Sequence, residues 1–241
     1  MVMVSTSAFS QISTLGKEFY VGFMDNNTTP NSTTPRRDKA IVIITANEKT
    51  TGIIRTPKQS IPFSLQAGQQ LIKEFDGESE NLIVRSSGEK EFKSLYISSS
   101  GLIAVHAINA REYSTDGTVV LPVNSLSKEY MVMAHHDVFG PGQSPGGNRN
   151  FESTLLVVAI ENDTKIEIIP SARTVNTIPA GSPIFVTLNE GDSYQIKADG
   201  DLTGSTVRVL NGETGECKNI AVFGGNKMTS AGDCGSSGDH L

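Results

Sequence analysis

The chain states one pattern twice. Gly16-Lys17-Glu18-Phe19-Tyr20-Val21 is echoed by Ser127-Lys128-Glu129-Tyr130-Met131-Val132, with Tyr130 falling 111 residues after Phe19. Ala40-Ile41-Val42-Ile43-Ile44 is matched by Leu155-Leu156-Val157-Val158-Ala159-Ile160, and Phe63-Ser64-Leu65-Gln66-Ala67-Gly68 by Val186-Thr187-Leu188-Asn189-Glu190-Gly191. Gly101-Leu102-Ile103-Ala104-Val105-His106 closes the first copy and Lys218-Asn219-Ile220-Ala221-Val222-Phe223 the second. A twofold repeat of this length constrains the fold to two like modules, each of the size of a β-sandwich.

The repeated runs are short and rich in β-branched residues, which predicts strands rather than helices. Each copy opens with an aromatic-led strand, Phe19 to Met24 and then Tyr130 to Ala134. A long stretch of Pro, Gly and Asn follows in both, at 25–38 and 137–150, and marks a loop. The turns Asn47-Glu48-Lys49-Thr50 and Glu161-Asn162-Asp163-Thr164 separate strand pairs at a spacing that predicts hairpins. Roughly eight strands per copy are expected, with no amphipathic helix. The spacing between matched blocks drifts along the chain, as insertions in loops produce while strands stay in place.

The 241 residues carry a formal net charge of −6 with no block of like charge, which disfavours nucleic acid and anionic membrane as partners. No run reaches the roughly 18 apolar residues of a membrane-spanning helix. Met1-Val2-Met3-Val4-Ser5-Thr6-Ser7-Ala8-Phe9-Ser10-Gln11 resembles the end of a secretory signal peptide, although a positive leading region is missing. The alternative is an ordinary N-terminus. The two cysteines, Cys217 and Cys234, read as one disulfide in an exported chain, the alternative being two free thiols.

No pattern for catalysis emerges. There is no Gly-x-Ser-x-Gly or His-Glu-x-x-His block, and no carboxylate pair stands out, so an enzyme acting on polysaccharide is the least favoured reading. His135 and His136 are expected on opposite faces of a strand, where they cannot share an ion. His106 is expected to face solvent or a satisfied pocket. No metal site is assigned, and the only cofactor the loops could hold is a structural calcium ion, on Asn162-Asp163-Thr164, Asp199-Gly200-Asp201 or Asp25-Asn26-Asn27. Asx residues form turns unaided, which is the commoner reason for them. Asn26, Asn27, Asn31 and Asn162 each begin an Asn-x-Ser/Thr pattern, relevant only in a glycosylating host.

Gly16-Lys17-Glu18-Phe19-Tyr20-Val21-Gly22-Phe23, Ser114-Thr115-Asp116-Gly117-Thr118-Val119-Val120-Leu121-Pro122-Val123 and Ile220-Ala221-Val222-Phe223-Gly224-Gly225 resemble the blocks of the IgGFc-binding protein N-terminal domain family. Asp201-Leu202-Thr203-Gly204-Ser205 is similar to a further block of that family. The resemblance implies a secreted or cell-surface binding module. In bacteria it implies part of a large adhesin of the kind found in gliding Bacteroidetes. No binding residue of the family maps onto this chain, so binding to antibody Fc is not carried over.

The expectation is therefore an all-β chain of two tandem antiparallel β-sandwich repeats packed together. Residues 1–11 are a signal-peptide remnant, 12–122 the first repeat and 123–241 the second. The expected function is non-enzymatic adhesion outside the cell, toward a surface protein or glycan, as the N-terminal part of a longer chain. The alternative is a structural subunit that self-assembles into a filament or surface layer. Recognition is expected at the loops 25–38 and 137–150, where Asn26, Asn27, Arg36, Arg37 and Arg149 are the candidate ligand contacts.

Overall fold

The described part of this chain holds fifteen strands, several of them with alternating more and less buried side chains. A computed structural model describes residues 13–26, 38–111, 114–136, 151–210 and 218–229. Among them the only helical element is a single 3-10 turn, Val123–Ser125, between the two repeats.

The first unit contains β1 (Leu15–Val21), β2 (Lys39–Ala46), β3 (Thr50–Arg55), β4 (Ser60–Leu65), β5 (Gln70–Asp76), β6 (Lys90–Phe92), β7 (Leu95–Arg111) and β8 (Ser114–Val120). The second contains β9 (Glu129–Met131), β10 (Ser153–Ala159), β11 (Thr164–Ile169), β12 (Ile184–Leu188), β13 (Asp192–Ala198), β14 (Thr206–Val209) and β15 (Ile220–Asn226).

Pairing repeats as faithfully as sequence. In the second unit β10 lies between β13 and β15, and a second sheet runs β12-β11-β14-β9. In the first unit β2 lies between β5 and β7, and β3 between β4 and β7, with β1 also on β7. The 17-residue β7 does the work of both β14 and β15. Its first part, Tyr96 to Ser99, pairs with β3, and its second part, Ile103 to Ala110, pairs with β2. One strand thus passes through both layers of the first sandwich, whereas residues 210–219 separate its two counterparts in the second.

The expected hairpins are not formed. β2 pairs with β5 and β7 while β3 pairs with β4 and β7, so the turn at 47–49 carries the chain from one layer to the other. β10 and β11 are likewise in different sheets. A hairpin would set the apolar faces of both strands side by side. Here Val42 and Ile44 of β2 face Ile54 of β3 across one core. Period-two alternation is the same in either arrangement and cannot separate them.

Phe19, Ile44, Ile54, Ile97 and Ile103 are fully enclosed in the first core, and Leu155, Ile166, Ile168 and Val207 in the second. Each contributes roughly 1.5–3 kcal/mol through burial. The turn glycines that sequence matched, Gly68 and Gly191, both take left-handed backbone, at φ 74° and 82°.

A third apolar cluster joins the units. β10 is buried along its whole length because one side faces its own core and the other, through Leu156 and Val158, faces Tyr20 and Val84 of the first unit. The Tyr20 hydroxyl donates to Glu190 Oε1 at 2.7 Å. Residues 84–92 of the first unit lie along β13 and end in β6, which pairs with it at Asp192 to Tyr194. The sheet of the second unit is thus completed by the first.

Candidate binding face

The residues that flank segments 27–37 and 137–150 lie together, joined by buried charge. Segment 27–37 departs after Asn26 and returns at Asp38; segment 137–150 departs after His136 and returns at Phe151. Asp25 and Asp38, at the two ends of the first, are both held by the guanidinium of Arg85, Asp25 at 2.8 Å. Arg85 also holds Glu78. A single amide, Asn226 Nδ2, donates to the carbonyls of His135 at 2.9 Å and Phe151 at 3.0 Å, spanning the two ends of the second. Lys227 Nζ then joins the loops to each other, 3.2 Å from Asp25 Oδ2 and 2.9 Å from Glu152 Oε2.

The clasp repeats as the strands do. Arg111, ending β7, lies 2.8 Å from Asp38, which immediately precedes β2. Lys227, just past β15, pairs with Glu152, which immediately precedes β10. Asn109 on β7 donates to the carbonyl of Met24 at 2.8 Å, as Asn226 does to that of His135.

Burial would raise the carboxyl pKa of Asp25, but Lys227, Lys197 and Arg85 around it outweigh that effect and hold it below the ordinary carboxylate value. Burial would lower the Lys227 ammonium, but Asp25 and Glu152 hold it above its ordinary value. Each partner thus favours the charged form of the other. Lys197 and Gln195 project from β13 toward the first unit, where Lys197 donates to Asp25 and to the carbonyl of Arg85. Gln195 donates to the carbonyls of Val84 and Ser86.

Beside the stem of the first loop lies a cleft of about 250 Å³ between β8 and β15, lined among others by Met24, Asn109, Asp116, Thr118 and Phe223.

Asn26, expected on the exposed loop, is fully buried instead. Its amide donates to Asn109 Oδ1 and the Ser114 carbonyl, and its Oδ1 accepts from the Ser114 hydroxyl. It is part of the stem, because burial of an amide requires such partners and these are supplied by β7 and β8. Asn27, Arg36, Arg37 and Arg149 lie outside the described residues, as do Cys217 and Cys234.

The expected separation of His135 and His136 also fails. β9 ends at Met131, so strand alternation does not reach them, and their rings stack with centroids 4.7 Å apart. Among the described residues no group of three or more His, Cys, Asp or Glu side chains is placed to hold a metal. Asn162 and Asp201, named for calcium, use their side-chain oxygens to accept the N–H groups of Glu190 and Thr203.

Sequence reasoning passed over Arg85, Lys197 and Lys227. Their one local signal is a long cation within or beside an apolar strand run, as in Tyr194-Gln195-Ile196-Lys197-Ala198.

Together, the repeated sandwich and the clasped ends of the two segments define an all-β module. The family described as IgGFc binding protein matches residues 116–241, which is 126 of the 241 residues, and the chain belongs to that family. The match runs from within β8 through the second unit, so the Gly16–Phe23 block lies outside it. No curated protein matches the chain. Among solved structures, vicilin from Corylus avellana (hazelnut) aligns at 9% identity with a TM-score of 0.26, covering 78% of this chain and 70% of that one. At that score the likeness carries no argument. No helix among the described residues is long and apolar enough to cross a membrane.

Proposed function

We propose that the chain is a non-enzymatic extracellular binding module, part of a larger surface protein, that recognises a protein or glycan through the face bearing segments 27–37 and 137–150. The observation that carries this reading is Lys227, whose one ammonium ties the start of the first loop to the end of the second. A buried ion pair is weak evidence for stability by itself, and its placement where both segments begin or end supports a role in setting their relative position, as binding residues commonly sit on loops positioned by a rigid scaffold. Membership of the IgGFc-binding family supports a binding role and an extracellular setting. The ionic state of Asp25 supports a structural rather than a proton-transferring role for the clasp.

The labelled chain applied to a protein and glycan array is expected to return a ligand. Replacing 27–37 by a Gly-Ser linker of equal length should weaken that binding without changing the circular dichroism spectrum. Undiminished binding by the folded variant would show that recognition lies elsewhere.

A further inference from the structure

Two exposed apolar faces of this chain are the unpaired halves of an interface it already contains. In the contact between its units, the second unit offers the outer face of β10, β13 and β15, with Leu156, Val158 and Phe223. The first unit covers that face with Tyr20 and Gly22; Gly22 lies so close that a Cβ there would stand 2.5 Å from Leu156 Cδ2.

The repeat locates the same two surfaces a second time. On β2, Ile43 holds the outward position that Leu156 holds on β10, and Thr45 that of Val158, since Ile43 pairs with His106 of β7 as Leu156 pairs with Phe223 of β15. Register places Ile43 beside His106 on one side and Ile72 on the other, and His106 beside Val119, so these four form one row across β8, β7, β2 and β5. Neighbours in such a row share a face. Among the described residues nothing covers it: Ile72 is 61% exposed and Val119 47%. At the other end of the molecule, Met131 and Met133 hold the positions of Tyr20 and Gly22 in the repeated opening block, and are 75% and 83% exposed. Phe185, on the same outer face of that sheet, is 63% exposed. Among the described residues, five of the eight large hydrophobic side chains left exposed therefore fall on these two faces.

The difference between the faces fits the same account. Where the second unit has Gln195 to satisfy the carbonyls of Val84 and Ser86, the first has apolar Ile72. The strip that meets Gln195 comes from the long connection 77–94 of the first unit, and the corresponding connection in the second, 199–205, is short. A covering second unit would bring no such strip, and no polar partner is provided for one.

We infer that a second copy of this chain docks its Met131–Met133 face onto the Ile43–Ile72–Val119 face, repeating between molecules the contact that joins the two units within one. The two surfaces differ, so the contact is heterologous and adds copies head to tail without closing. This assembly does not depend on what the loops bind.

Sedimentation velocity over a concentration series tests it. The wild-type chain is expected to grow in mass past the dimer as concentration rises. Two variants, Ile72→Lys with Val119→Lys and Met131→Lys with Met133→Lys, change only exposed side chains and each keeps one face intact. Each alone should remain monomeric, with self-association weakened by about a hundredfold or more. Mixed in equal amounts they should form a one-to-one dimer that grows no further. A wild-type chain that stays monomeric into the millimolar range, one that stops at a closed dimer, or variants that still self-associate would each overturn the inference.

Discussion

The ammonium of Lys227 stands 3.2 Å from the carboxylate of Asp25, across 202 positions of sequence and across the junction of the two units. Both side chains are nearly enclosed, Lys227 being 8% exposed and Asp25 3%. Their pairing belongs at once to the interface between units and to the loop-bearing face, so stability and recognition share residues here.

Removing one member of a buried ion pair leaves the other charge uncompensated. Lys227→Met should therefore destabilise the fold by about 3 kcal/mol, toward the low end of such losses because Asp25 keeps Lys197 and Arg85. Lys227→Arg should recover much of the loss. Urea unfolding of the three proteins, followed by circular dichroism, measures both effects.

Asp25 also sets a pH dependence. Its carboxyl titrates lower in the folded chain than in the unfolded one, so its contribution is fully present above the unfolded value of about 4 and is lost as pH falls through the folded value. Stability should fall as the solution is acidified below about pH 4, and Asp25→Asn should flatten that slope while lowering stability at neutral pH. Melting temperatures across an acid pH series give the comparison.

Gly22 marks a tight approach of backbone between units. A side chain there would press on Leu156 Cδ2 and on Val158 Cγ2, at 2.5 and 2.9 Å from the new Cβ. Gly22→Val should cost about 1–3 kcal/mol through overpacking. It should also raise hydrogen exchange in β10 more than in β11, which pairs only with β12 and β14 of its own unit. Equal exchange in both strands would place the strain elsewhere.

How much of this was legible depends on the range of the interaction that decides it. Strand positions follow from alternation, a local property, so the repeat of Phe19 and Tyr130, or of Gly68 and Gly191, reads directly as repeated architecture. The crossing of β2 to β3 did not read, because arch and hairpin share one periodicity. The fusion of two strands into β7 did not read either, since Ser99-Ser100-Gly101 has the look of a turn yet continues the strand. At the loop face, the segments themselves were legible from their Pro, Gly and Asn content. The clasp was not: Arg85, Lys197 and Lys227 meet Asp25 only after both sandwiches have formed and docked. Asn26 was misplaced for the same reason, its partners Asn109 and Ser114 being more than eighty residues away.

The central claim is that the two loops act as one face, and a double-mutant cycle on binding tests it most directly. A ligand returned by the array would be titrated by calorimetry against the wild-type chain, against variants with 27–37 or 137–150 replaced by a Gly-Ser linker, and against the double replacement. Loops fixed together by Lys227 should be coupled, with the double loss departing from the sum of the single losses by about 1 kcal/mol or more. Strictly additive losses, or a ligand indifferent to both replacements, would contradict the account.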